Sequence, residues 1–150
     1  MLRPTFTHRR DGGGSHLHGE QSRCLLAGHQ TGGRFALTES VLRPGAEPAP
    51  LHVHSREDET FYVIEGRIVA HAGDQRQELG PGGSVFLPRG IPHRIHAAGA
   101  DPVRLLMLVA PAGLERFFAE VEALAAAGRL DPGRLAEVAA GYGVTILGGP

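Results

Sequence analysis

Between residues 34 and 110 apolar positions come in short runs, separated by glycines and prolines. Arg34–Arg43 places Phe35, Leu37 and Val41 on one parity, the period-two signature of a strand, and Pro44-Gly45 ends it. Leu51–His54, Glu59–Glu65, Arg67–Ala72, Gln75–Leu79, Ser84–Leu87, Pro92–His96 and Val103–Ala110 follow as further candidate strands. Glu59–Glu65 is rich in β-formers (Thr60, Phe61, Tyr62, Val63, Ile64). Gly73-Asp74 marks a hairpin and Gly80-Pro81-Gly82-Gly83 a tight turn. About eight short strands at this spacing predict an all-β sandwich or barrel.

The period changes after residue 113. Leu114, Phe117, Phe118, Val121 and Leu124 recur at helical spacing, with Gly128 placed to end the helix. Asp131-Pro132 supplies an N-cap and a first-turn proline for a second helix, with Leu135 and Val138 on one face and Gly141 as terminator. These helices are expected to cover one end of the β domain or a dimer interface. Val144–Leu147 reads as a final edge strand. Residues 1–20 are polar and Gly-rich and read as a flexible arm. The expected organisation is therefore an arm (1–20), a β domain (21–112) and a C-terminal helical extension (113–150).

Composition narrows the chemistry. The 22 Gly and 11 Pro sit between apolar runs and act as turn punctuation. A formal net charge of −1 gives no electrostatic case for nucleic acid or an anionic membrane, and no helix-turn-helix pattern or basic patch precedes the barrel. All 15 basic residues are Arg, which excludes Schiff-base chemistry and a lysine general base. Cys24 is the one cysteine, so no intramolecular disulfide forms; it reads as a bland, partly buried residue. Met1-Leu2-Arg3-Pro4-Thr5 lacks the apolar run of a signal peptide, and no stretch approaches a membrane helix, so a cytoplasmic protein is expected.

The informative residues are His52, His54, Glu59 and His93. In a strand, residues i and i+2 face the same side about 7 Å apart, so His52 and His54 can converge on one ion. Glu59 begins the next strand on the parity of Phe61 and Val63, whereas Glu57 and Asp58 are assigned to the exposed turn before it. His93 follows Pro88-Arg89-Gly90-Ile91-Pro92, a rigid turn able to return a strand toward the pair. Three imidazoles and a carboxylate suit one divalent Fe, Mn, Ni, Co, Cu or Zn ion and leave one or two positions open. Such a centre carries a charge of about +1, which favours an anionic or enolisable oxygen ligand. His96, three residues from His93, faces the other way, and His71 and His29 read as partnerless surface residues. A second His-x-His, His16-Leu17-His18 before Glu20, lacks a surrounding strand pattern and reads as a solvated tail. Phe61, Val63, Phe86, Ile95 and Met107 are candidate lining for a substrate pocket.

Gly45-x6-His52-x-His54-x4-Glu59-x6-Gly66 resembles the first motif of the cupin superfamily, and Gly82-x5-Pro88-x-Gly90-x2-His93-x3-Ala97 the second. The resemblance spans about residues 35–110. It departs by one extra residue between Gly45 and His52 and by Ala97 in place of the usual Asn. It implies a small cupin-type jelly-roll β-barrel with a metal held inside by His52, His54, Glu59 and His93, commonly as a homodimer. His54–Gly66 and Leu105–Phe118 are similar to single-domain bacterial cupins of the quercetin-dioxygenase-like type. The implied function is a metal-dependent oxygenase on a small enol, phenol or flavonol-like substrate, with Glu59 taking the enol proton. The alternatives are a metal-dependent cyclase or isomerase, for example one acting on a polyketide, and a non-catalytic small-molecule-binding cupin.

Overall fold

A computed structural model of the chain describes residues 2–8, 15–17 and 20–148, the backbone alone for 15–17. Its strands are β1 (Ser15–Leu17), β2 (Glu20–Leu26), β3 (Ala36–Leu42), β4 (Leu51–His54), β5 (Asp58–Glu65), β6 (Ile68–Ala72), β7 (Gln75–Leu79), β8 (Ser84–Leu87), β9 (His93–Ala97), β10 (Val103–Ala110) and β11 (Val144–Gly148). Three helices complete it: the one-turn α1 (Gly28–Thr31), α2 (Leu114–Ala126) and α3 (Pro132–Gly141). The strands form two antiparallel sheets, ordered β1-β2-β3-β10-β5-β8 and β11-β4-β9-β6-β7. This is the all-β jelly-roll architecture, and β3–β10 match the strands expected between residues 34 and 110.

The N-terminal segment departs from its reading as an arm. β1 pairs β2, which pairs β3, so residues 15–17 and 20–26 extend the larger sheet. His18 and the side chain of His16 lie outside the described residues.

The core fills the space between the sheets. Alternation along β10 sends Val103, Leu105, Met107 and Val109 inward, where they meet Phe61 and Val63 of β5, Ile68 of β6 and Leu87 of β8. Each such side chain contributes about 1.5–3 kcal/mol by leaving water. Leu114, Ala139 and Val144 belong to the same cluster, so α2, α3 and β11 pack against this core. At the start of α3 the Asp131 carboxylate accepts the Arg134 backbone N–H at 2.8 Å, as the Asp-Pro signal implies. That helix runs through Gly141; the left-handed residue is Gly143 (φ 79), not Gly141. A Cβ on Gly143 would stand 2.6 Å from Ser55 Oγ, so the α3–β11 turn can approach the end of β4 only as glycine. No helix among the described residues is long and apolar enough to cross a membrane.

Candidate metal centre

Strand alternation puts His52 and His54 on the inner face of β4, with β11 on one edge and β9 on the other. His52 and His93 stand directly opposite each other across β4 and β9. β5 delivers Glu59 from the facing sheet. The ring centroids lie 4.6 Å (His52–His93), 5.0 Å (His52–His54) and 5.2 Å (His54–His93) apart. One donor atom from each of His52, His54, Glu59 and His93 falls within 4.8 Å of all the others. His54, Glu59 and His93 are buried, whereas His52 is half-buried and meets the cavity.

The outward nitrogen of each ring is occupied. His52 Nδ1 donates to the Pro50 carbonyl at 2.8 Å and His93 Nδ1 to the Ile91 carbonyl at 3.0 Å. His54 Nδ1 donates to Glu57 Oε1 at 2.6 Å. A carbonyl can only accept, so the proton of a neutral ring sits on Nδ1 and the Nε2 lone pair faces inward. His54 Nε2 is buried without a hydrogen-bond partner, 3.5 Å from Glu59 Oε2. His93 Nε2 lies 2.8 Å from the same carboxylate oxygen. Three inward lone pairs around a buried carboxylate call for a cation at their centre, and these donors fit a divalent transition ion.

Electrostatics agree. Burial holds His52 below its ordinary pKa. For His54 burial is the largest single influence and acts downward, but the Glu57 hydrogen bond and the Glu59 and Glu57 charges raise the group overall. Burial would lift Glu59; the close His93 contact at 2.8 Å and the surrounding imidazoles outweigh it and hold the carboxyl below its usual range.

Glu57 is the residue that sequence reasoning missed. It is not in the exposed turn but 5% exposed, folded back onto the ring of His54. A charged tripeptide, Arg56-Glu57-Asp58, gives no signal for which carboxylate turns inward; its spacing of three from His54 across a tight turn is the one available hint. With Glu57 counted, a divalent centre is close to neutral rather than +1. Asp58 opens β5 and pairs with Arg89, accepting its backbone N–H and both Nε and Nη2 at 2.9–3.0 Å. The Arg89 guanidinium holds the Asp58 carboxyl down to about 2.

The centre opens into a cavity of about 190 Å³ that runs to α2 and α3. Phe61, Ile95 and Met107 line it. Val63 does not: it is fully buried within the core cluster. Phe86 does not either. It is 61% exposed, because on β8 the inward parity belongs to Val85 and Leu87. Sequence reading missed the remote wall formed by Leu114, Phe117, Phe118 and Leu135, whose helical spacing indicated packing and not a ligand. His71 is not partnerless; its ring stacks on His96 at 5.5 Å, on the face of β9 opposite His93. His29 is exposed in α1. Cys24 is exposed and not partly buried; its surroundings still push the thiol up, which disfavours a thiolate.

Residues 38–109 match the Cupin domain family. The tetracenomycin polyketide synthase protein TcmJ of Streptomyces glaucescens is 31% identical over 98 residues, 65% of each chain, so this chain spans somewhat less than two thirds of that relative. The β-D-galactosidase Rv1717 of Mycobacterium tuberculosis is 36% identical over 97 residues, 62% of this chain and 80% of that one. The solved structure of the polyketide cyclase RemF from Streptomyces resistomycificus superposes with a TM-score of 0.62 at 27% identity, over 72% of this chain and 80% of that one.

Proposed function

We propose, from the premise that this chain belongs to the cupin family, that it is a metal-dependent cyclase which closes a ring in a poly-β-ketone or related polyketide-like substrate. The observation that carries the reading is a cluster of three inward imidazole nitrogens and a buried carboxylate opening into a largely apolar cavity. The names of two relatives, a polyketide synthase protein and a polyketide cyclase, favour ring closure over the oxygenase first expected from the resemblance.

His52, His54, Glu59 and His93 would hold the ion, which when bound supplies a Lewis acid for ketone and enolate oxygens. The chain's own residues do the rest. The Pro50 and Ile91 carbonyls and the Glu57 carboxylate lock the three rings, so their lone pairs need no reorientation as a ligand arrives. Phe61, Ile95 and Met107 exclude water from the reacting carbons. Aldol closure removes a proton from a methylene between two carbonyls, joins that carbon to a remote carbonyl carbon, returns a proton to the new alkoxide and expels water. Glu59, held in its charged form, is the one carboxylate in the cluster able to take the methylene proton and give it back.

The test is the metal-loaded chain incubated with a synthetic poly-β-ketone, followed by mass spectrometry and an oxygen electrode together. Ring closure predicts a product lighter by one water with no oxygen consumed. Oxygen uptake with incorporation into the product would return the assignment to an oxygenase. Binding with no product under either condition would leave a binding protein.

A further inference from the structure

The candidate metal cluster accounts for part of the cavity lining; the rest of it says what can fill the cavity. Among the described residues, apart from the cluster itself and His96, whose ring turns to the opposite face of its strand, the lining residues with polar side chains are Glu20 and Glu47. Among the described residues no arginine, hydroxyl or amide side chain lines the cavity. Everything else is apolar and includes the helical residues Leu114, Phe117, Phe118 and Leu135.

Three consequences follow. A sugar carries more hydroxyls than the metal cluster and the two carboxylates of Glu20 and Glu47 can receive, and each one left buried without a partner is penalised. An anion would meet a centre brought close to neutral by Glu57 and the two carboxylates of Glu20 and Glu47, with no cationic side chain to receive it. A single ring would leave part of the cavity empty, since there is room for roughly a dozen heavy atoms. Phe117 and Phe118 stand with centroids 5.4 Å apart and tilted by 58°, and Phe117 also meets Tyr142 edge-on at 5.8 Å. Such a cluster offers ring faces and edges to a flat aromatic body. The metal-binding cluster lies within residues 38–109, the segment matched by the family, and the wall lies outside it.

We infer that the site takes an uncharged, fused-ring ligand whose oxygens are gathered at the metal end, and that Phe117, Phe118 and Leu135 determine this specificity by receiving its second ring. The inference rests on the cyclase reading for the direction in which the ligand lies, and on the cavity lining alone for its charge and shape.

Calorimetric titration of the metal-loaded full chain tests it with four probes: catechol, a naphthalene diol with the same vicinal hydroxyls, the sulfonate of that diol, and galactose. The naphthalene diol is expected to bind about tenfold tighter than catechol. The sulfonate loses about tenfold relative to its parent, and galactose gives no binding. Phe118→Ala brings the naphthalene diol to within about twofold of catechol and leaves catechol itself unchanged. Metal content and circular dichroism check that variant, and Leu135→Ala takes its place if it does not fold. Glu20→Gln with Glu47→Gln restores part of the sulfonate's affinity. Equal affinity for the two diols, a sulfonate that binds as tightly as its parent, or competition by galactose would each overturn the inference. Ring closure of a poly-β-ketone in a protein with any of those results would sink this inference and spare the cyclase; the expected affinities with no ring closure would do the reverse.

Discussion

The two ends of the cavity hold their side chains in different ways. At the metal end, each imidazole is fixed twice, by strand register and by a hydrogen bond on its outward nitrogen. His52 faces His93 across the sheet, and both rings are tied to carbonyls two residues back in sequence. At the helical end, Phe117 and Phe118 have no polar anchor and are held by packing between α2, α3 and the barrel core. Polar fixing gives precise directions and tolerates no substitution; apolar packing gives shape and tolerates change of similar volume. The metal end should therefore respond to mutation in metal affinity, and the helical end in ligand choice and stability.

The largest test of that division is His54→Ala. It removes a donor and leaves Glu57 buried without its partner, and metal affinity should fall by more than about a hundredfold. Elemental analysis of purified protein reads this directly, and unchanged metal content would sink the site assignment. In the wild type, chelator should remove about 3 kcal/mol of apparent stability where free metal stands near a hundred times its dissociation constant, seen as a lowered Tm.

Next comes Glu57→Gln, which keeps a hydrogen-bond acceptor but loses the charge. At about pH 8 metal affinity should weaken some 10–100-fold. The gap should narrow as pH falls. Glu57 helps raise His54, so in the wild type a proton competes for His54 more strongly at mildly acid pH. In metal-free protein the sign reverses. A raised His54 stabilises the fold below its ordinary value near 6.5, and that contribution is lost as pH rises through its folded value. A metal-affinity profile parallel in the two proteins would show that Glu57 does not act through His54.

Phe118→Ala should leave metal content unchanged and cost about 1–2 kcal/mol in chemical denaturation, because the side chain is only partly buried. A parallel loss of metal would erase the distinction between the two ends. The smallest effect belongs to Asp58→Asn. The Asp58 carboxyl is depressed to about 2 by Arg89, so its contribution is present above the ordinary carboxylate range and lost as pH falls toward that value. Both partners are solvent-exposed and screened, so the variant should differ from wild type only in the acid limb of a Tm-against-pH curve, and less so in high salt.

The same division explains what the sequence disclosed. Strand registers and the His-x-His spacing are local patterns, and β4, β5 and β9 stand within a residue or two of where the alternation puts them. Glu57 was invisible because a charged turn is compatible with either an exposed or an inward carboxylate, and only the fold decides. Phe86 was misread because a four-residue strand, Ser84–Leu87, offers two parities with one large apolar residue on one and two on the other. On β3 the obvious apolar parity is not the buried one either: Ala36, Thr38 and Ser40 are buried, and Leu37 and Val41 lie on the other face. The aromatic wall could not be separated from ordinary helix packing, since both produce the same spacing.

The order in which the chain is made bears on the metal centre. β4 carries two of its four donors but meets β9 only through the pair His52 and His93. Its longer partner is β11, aligned from Val144 opposite His54 to Gly148 opposite Leu51. The Gly143 carbonyl also accepts the Ser55 backbone N–H at 2.9 Å just past His54. The strand that presents the histidines is thus clamped by a segment about ninety residues further on, closing one of the longest loops in the molecule. During synthesis His52 and His54 leave the ribosome long before the residues that hold them in place. Metal loading should therefore wait until β11 has been made, and a protein tagged or fused directly after β11 should be compared with an untagged one before its metal content is taken as native.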